Sequence, residues 1–114
     1  MCGIAGIFHL PTPKPVDPLR IERMCDAMVH RGPDGSGVWT APGVGLGHRR
    51  LSIIDVSGSP QPMASGDGRT MLVFNGEIYN YRELRQELRG LGAQFRTDGD
   101  SEVILAAWQH WGTD

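Results

Sequence analysis

The second residue of the chain is a cysteine, and removal of Met1 would make Cys2 the N-terminus. A thiol is a good nucleophile as its thiolate, and with a free-cysteine pKa of about 8.5 it needs a base close by. The α-amino group exposed by loss of Met1 can be that base, because its pKa of about 7.7–8.0 leaves a useful fraction unprotonated at neutral pH. Nucleophile and base would then be one residue. Gly3 lets backbone approach a bound substrate closely, and Ile4 to Phe8 reads as a buried strand that would hold the terminus still. The competing reading is an ordinary buried thiol near a chain start.

Other residues of chemical interest fall in turns. Asn75-Gly76-Glu77-Ile78-Tyr79-Asn80 follows a strand-like run, and an asparagine amide beside a glycine N–H can face a developing oxyanion. The same Asn-Gly pair is also an ordinary hairpin turn. Arg49 and Arg50 lead into a buried-looking run, Leu51 to Asp55, where an arginine either points to solvent or aims its five-donor fork at a carboxylate. Asp100 precedes a helical pattern, so its carboxylate either caps that helix or binds an ammonium group. The turn from His30 to Gly37, with three glycines and a proline, is either a helix-to-strand connection or a flap beside the terminal thiol. Cys25 lies on an apolar helix face and reads as inert core. The histidines at 9, 30, 48 and 110 have no metal-ligand spacing with the cysteines, so no zinc site is indicated.

These positions need a scaffold, and hydrophobic periodicity supplies one. After the first strand, prolines at 11, 13, 15 and 18 mark a loop. Asp17 as N-cap with Pro18 at the first helical position opens a helix to about Val29, with Ile21, Met24, Cys25, Met28 and Val29 on one face. Val38 to Thr40 and Val44 to His48 form a hairpin about Ala41-Pro42-Gly43. Val56 to Arg69 reads as a surface loop and Thr70 to Phe74 as a strand. Asn80 and Glu83 have capping-box spacing before a helix with Leu84, Leu88 and Leu91 on one face. Ala93 to Arg96 reads as a short strand, and Val103, Ile104, Ala107, Trp108 and Trp111 recur at helical spacing. This mixed order, without internal repeats, predicts an α+β layered domain.

The 114 residues suit one globular domain at most, and a formal net charge of −2 with scattered basic residues gives no electrostatic footprint for nucleic acid or an anionic membrane. The first apolar run lacks a basic flank and is too short for a signal peptide, and no run nears the roughly 20 apolar residues of a membrane span. Two cysteines are too few for a disulfide scaffold. A cytoplasmic protein is the expectation.

Taken together, the motifs resemble the N-terminal nucleophile (class II) glutamine amidotransferases, and among them the glutaminase domain of asparagine synthetases. The resemblance rests on Cys2-Gly3-Ile4-Ala5-Gly6-Ile7, His30-Arg31-Gly32-Pro33-Asp34, Arg50-Leu51-Ser52-Ile53, Asn75 to Asn80, and Asp100-Ser101-Glu102-Val103-Ile104, in that order over essentially the whole chain. Related amidotransferases acting on phosphoribosyl pyrophosphate or fructose 6-phosphate share the first and fourth motifs but lack the second followed by the third.

The resemblance implies an Ntn-hydrolase αββα four-layer sandwich, of which this chain would be only the N-terminal part. It implies that Cys2 forms a glutamyl thioester, that Asn75 and Gly76 stabilise the oxyanion, and that Arg50 grips the glutamine α-carboxylate, with Asp100 on the α-ammonium and Glu77 helping to bind it. Arg49 does not align. Glutamine would be the substrate, and ammonia would pass to a synthetase domain that amidates aspartate with ATP and magnesium. No cofactor is implied within this chain, which would lack that synthetase domain. The length implies a fragment or a truncated product, with homodimerisation as one outcome of an open sandwich. The alternatives are an inactive remnant, an interaction module, or an amidotransferase of a related pathway with a different acceptor.

Overall fold

The computed structural model describes residues 2–51 and 60–113. Among them are five strands and three helices, in the order β1 (Gly3–Phe8), α1 (Pro18–Asp26), β2 (Gly35–Ala41), β3 (Val44–Arg50), β4 (Met63–Ala64), β5 (Met71–Leu72), α2 (Tyr81–Gly90) and α3 (Ser101–Trp111). This is the predicted α+β class. Met1 and the Ser52 to Ser59 part of the predicted strand and loop lie outside the described residues.

The strands β1, β3 and β2 form one antiparallel sheet in that spatial order. Gly3 pairs with Arg49 and Phe8 with Val44 on one side of β3, while Gly35 pairs with Arg50 and Ala41 with Val44 on the other. The hairpin about Ala41 to Gly43 is the predicted one, with longer strands than the sequence pattern indicates. Alternation along β1 sends Gly3, Ala5 and Ile7 to the face covered by α1 and leaves Ile4 and Phe8 exposed on the other.

The start of α1 follows the sequence signal: Asp17 Oδ1 accepts a hydrogen bond from Leu19 N–H at 2.9 Å, and Pro18 opens the first turn. Ile21 and Cys25, one turn apart, bury against the sheet with Val16, Ile7 and Val38. Cys25 is thus the core residue its spacing predicts. Burial pushes its thiol pKa up, opposed by the nearby Arg49 charge. The helix can lie this close because β3 has no side chain at Gly47, where a Cβ would fall 2.5 Å from Cys25 Sγ and 2.7 Å from Ile21 Cγ2. The helix stops at Asp26 rather than Val29, as Met28 N–H and Arg31 N–H turn to the carbonyls of Cys25 and Met28, three residues back.

The second half is smaller in regular structure than predicted. Strands β4 and β5 pair over two residues each, within the segments read as loop and strand. Their turn is closed by Ser65 Oγ–H to Asp67 Oδ1 at 2.6 Å and by Thr70 N–H to Ser65 Oγ at 3.1 Å. Leu88, Val103 and Ala106 form the α2–α3 core, with Leu84, Tyr81 and Phe95 against it. Leu91, predicted on the same face, is exposed, because α2 ends at Gly90 and the chain turns through Gly92 at φ +101°. Asn80 makes no side-chain cap, so the predicted capping box is not formed.

No strand forms over Ala93 to Arg96. The N–H groups of Arg96 and Thr97 donate instead to the buried Glu102 carboxylate, at 2.7 and 2.9 Å, and leave no ladder for a neighbouring strand.

Candidate functional site

At the shared end of β1 and β3, the Cys2 sulfur lies 3.3 Å from the Leu51 N–H, which donates to it, and 3.8 Å from the Leu51 carbonyl. Cys2 is half-buried. The nucleophile candidate is therefore fixed beside Arg50, the carboxylate-binding candidate, which ends β3 and pairs with Gly35 of β2. Sheet register alone accounts for this meeting: Gly3 opposite Arg49 carries Cys2 to the 50–51 end of β3.

The turn after α1 closes over the same place. Arg31 Nε donates to the Cys2 carbonyl at 3.3 Å, and Arg49 Nε donates to the Gly32 carbonyl at 2.9 Å. The Asp34 N–H donates to the Arg50 carbonyl at 2.9 Å. Gly32 allows this contact, since a Cβ there would collide with the backbone between Arg49 and Arg50. The turn is the helix-to-strand connection, and it also lies beside Cys2. Arg49, outside the implied site, ties this turn to β3.

The second cluster lies at the N-terminal ends of α2 and α3. Asn75, Gly76 and Glu77 are exposed, and the chain runs from them into α2 instead of returning as the second arm of a hairpin. Asp100 does not cap α3 with its side chain. Its Oδ2 accepts the Ile78 N–H at 2.9 Å, which docks the start of α3 onto the 75–78 segment. Two buried charges hold the loop that delivers Asp100. The Arg85 guanidinium donates to the carbonyls of Thr97 and Gly99 and stacks on Phe95, 4.7 Å from the ring centre. Glu102 takes the N–H groups of Arg96 and Thr97 and pairs with Arg96 Nε at 3.8 Å.

One polar connection joins the two clusters. His48 of β3 is 2% exposed, and its Nε2 lies 3.2 Å from the carbonyl of Phe74, the residue before Asn75. Burial pushes the His48 pKa down, and the neighbouring Arg50 charge adds to this against the Phe74 hydrogen bond, so the ring is held neutral. With a carbonyl as partner, Nε2 carries the proton. Among the described residues no group of three or more His, Cys, Asp or Glu could hold a metal ion, and no helix is long and apolar enough to cross a membrane.

A family model described as a glutamine amidotransferase domain matches residues 1–114, the whole chain. The chain belongs to that family. Among curated relatives, this amidotransferase domain is 47% identical over 113 residues to asparagine synthetase (glutamine-hydrolyzing) 1 of Bacillus subtilis, covering 97% of this chain and 18% of that protein. It is 40% identical over 114 residues to asparagine synthetase B (glutamine-hydrolyzing) of Escherichia coli, covering 100% of this chain and 20% of that protein. A third relative, asparagine synthetase (glutamine-hydrolyzing) 3 of Bacillus subtilis, is 41% identical over 117 residues, with 100% and 19% covered. The amidotransferase domain thus spans about a fifth of the length of the curated relatives it matches.

Against the sequence-based site, the structure groups Cys2 with Arg50, and Asn75, Gly76 and Glu77 with Asp100. Residues Ser52 and Ile53 of the third motif lie outside the described residues. Sequence reasoning did not single out His48, Gln61, Arg85 or Glu102. The signal for Arg85 and Glu102 is weak but physical: Arg85 lies one turn before Leu88 and Glu102 one turn before Leu105 and Ala106, each a charged residue on a helix face that also carries buried apolar ones.

Proposed function

We propose that this amidotransferase domain hydrolyses glutamine through Cys2 and is the glutaminase part of an asparagine synthetase. The observation that supports it most is the placement of the Cys2 sulfur against the Leu51 N–H, next to Arg50. A glutamine whose α-carboxylate meets the Arg50 guanidinium at that strand end would extend its side chain from a fixed anchor toward the sulfur.

In this reading Met1 is removed and the α-amine of Cys2 takes the thiol proton. The sulfur attacks the side-chain carbonyl carbon, and the oxyanion is met by the Asn75 amide and the Gly76 N–H. The protonated Cys2 amine returns its proton to the leaving nitrogen, the C–N bond breaks, and ammonia departs, leaving a thioester. Water activated by the same amine then cleaves the C–S bond, giving glutamate and the free thiol. Arg50 binds the α-carboxylate of glutamine, with Asp100 on the substrate's α-ammonium and Glu77 helping to bind it.

The three-stranded sheet with α1 on one face is one helix layer and one sheet layer of an αββα sandwich in this reading. The acceptor is aspartate, as the relatives' names support, with ATP and magnesium used by a synthetase part of the protein. Support for the acceptor comes from the identity to asparagine synthetases over the whole chain.

Glutamate release from glutamine tests the proposal. Cys2→Ala should abolish release with the fold kept, as judged by circular dichroism. Undiminished release from the Cys2→Ala protein would overturn it. Ammonia transfer to aspartate, followed with ATP and magnesium in the whole protein, tests the acceptor separately.

A further inference from the structure

Phe74 stands directly before Asn75, yet β5 ends at Leu72, so sheet pairing does not fix the backbone where the proposed oxyanion donors begin. Two side chains do so instead. The Phe74 N–H donates to Gln61 Oε1 at 2.5 Å, and the Phe74 carbonyl accepts from His48 Nε2 at 3.2 Å. Both polar groups of this peptide residue are satisfied by side chains from other segments.

Each of those side chains is itself anchored near the site. His48 pairs across the sheet with Ile4 of β1 and Gly37 of β2, and lies two residues before Arg50. The residue-61 backbone presses on β2 at Gly37, where a Cβ would collide with the Gln61 carbonyl oxygen. Gln61 Nε2 also donates to Ser101 Oγ at 3.3 Å, and Ser101 follows Asp100. One line of hydrogen bonds therefore runs from the strand beside Cys2, through Phe74, to the residue after Asp100.

We propose that His48 and Gln61 are positioning residues that set the Asn75-Gly76 donors relative to Cys2, with Gln61 also setting Asp100. The proposal rests on the amidotransferase reading of those residues. His48 acts as a neutral donor to a carbonyl rather than as an acid or base in the reaction. Gln61 acts as acceptor and donor at once, which an amide can do and a carboxylate or an ammonium cannot. Oxyanion donors act only when aimed at the charge that develops, and a shift of about 1 Å can cost about 100-fold.

The test is steady-state glutamine hydrolysis by His48→Leu, His48→Gln and Gln61→Met proteins, with Cys2 alkylation by iodoacetamide as a second readout. His48→Leu should lower kcat by about 10- to 100-fold with KM changed less than about threefold, because only the transition-state donors move. His48→Gln, which keeps an N–H donor at the ε position, should recover most of the rate. Gln61→Met should lower kcat and raise KM together, since it releases both Phe74 and Ser101. The rate of Cys2 alkylation should stay near that of the parent in all three. Parent-like kcat in His48→Leu, or equal loss in His48→Leu and His48→Gln, would overturn the assignment. If His48→Leu does not fold, Gln61→Met decides, and parent-like kinetics there would overturn it. Cys2→Ala separates the two claims: activity surviving that change sinks the amidotransferase reading, whereas activity lost there but intact in His48→Leu and Gln61→Met sinks only this one.

Discussion

The carboxylate of Asp100 accepts the backbone N–H of Ile78 at 2.9 Å and so belongs to the Asn75-Gly76-Glu77 segment as much as to helix α3. One oxygen thus has a structural role, and in the proposed function the carboxylate charge also meets the ammonium of glutamine. The two roles can be separated by substitution. Asp100→Asn keeps an oxygen acceptor for Ile78 and loses the charge, so it should raise the glutamine KM with kcat largely retained. Asp100→Ala should raise KM by about 2–4 kcal/mol equivalent, as loss of a half-buried charge partner does, and lower kcat as well because Ile78 is released. Steady-state kinetics of the pair check this, and identical behaviour of the two variants would refute the dual role.

The adjacent arginines should part company. Arg50→Ala should weaken glutamine binding by about 2–4 kcal/mol, leaving the substrate carboxylate without its partner. Arg49→Ala removes the hydrogen bond to the Gly32 carbonyl and should cost about 1–2 kcal/mol of stability, with a much smaller effect on KM. Chemical denaturation and glutamine titration on both variants distinguish the outcomes. Equal losses of affinity would show that the site alignment is wrong.

The two thiols differ by environment and should differ in reactivity. Cys2 is half-buried at a strand end, whereas Cys25 is sealed between α1 and Gly47, and burial raises its pKa. Iodoacetamide should modify Cys2 first, and prior incubation with glutamine should slow that modification. Met1 removal is part of the same prediction, because a Cys2 nitrogen held in a peptide bond cannot accept a proton. Peptide mass spectrometry reads both, and full glutaminase activity in chains that retain Met1 would remove the α-amine from the mechanism. Cys25→Ala should cost only stability, about 1–3 kcal/mol for a small buried side chain.

Much of this was legible because local rules and tertiary packing agree in the first half. Asp17-Pro18 opens α1 and Ile21 and Cys25 share its buried face, whereas β1, read as a buried strand, is covered on one face and leaves Ile4 and Phe8 exposed on the other. The meeting of Cys2 with Leu51 follows from register, which the motifs imply but periodicity cannot give, because pairing partners 49 residues apart leave no local signal. Most of the failures lie in the second half, and several of them share one cause. Side-chain groups there take over backbone bonds that the pattern assigned to strands and caps: Glu102 at Arg96 and Thr97, Gln61 and His48 at Phe74, Asp100 at Ile78. A residue that reads as a cap or a surface polar group cannot announce a long-range acceptor role from sequence spacing alone.

His48 also gives the fold a pH dependence of defined sign. Its folded pKa is pushed below the ordinary value of about 6.5, chiefly by burial with the Arg50 charge adding to it. The unfolded chain therefore binds this proton more readily, so the stabilisation is fully present above about pH 6.5 and is lost as pH falls toward and through the folded value. Between those values the slope contributed by one proton is at most about 1.4 kcal/mol per pH unit. Thermal unfolding followed from pH 7.5 to 5 should show a steeper fall in Tm for the parent than for His48→Gln. Parallel curves would mean that His48 is not buried as a neutral ring.

The exposed apolar side chains of β1 and α3 lead to the last prediction. Helix α1 packs on the side of Gly3, Ala5 and Ile7, which leaves Ile4 49% and Phe8 65% exposed on the other side of β1, while Trp108 and Trp111 stand 49% and 41% exposed on α3. At roughly 25 cal/mol per Å², several hundred Å² of such surface represents on the order of 10 kcal/mol, as much as the whole stability of many domains. Residues 1–114 prepared alone should therefore self-associate or unfold with low cooperativity, and their glutaminase activity should be weak. Replacing Ile4 and Phe8 with threonine should reduce the association if this face drives it, and should leave it unchanged if the tryptophans of α3 do. Sedimentation velocity over a range of concentrations reads the difference, and a sharp, concentration-independent unfolding transition of an active 114-residue monomer would show that the exposed face needs no cover.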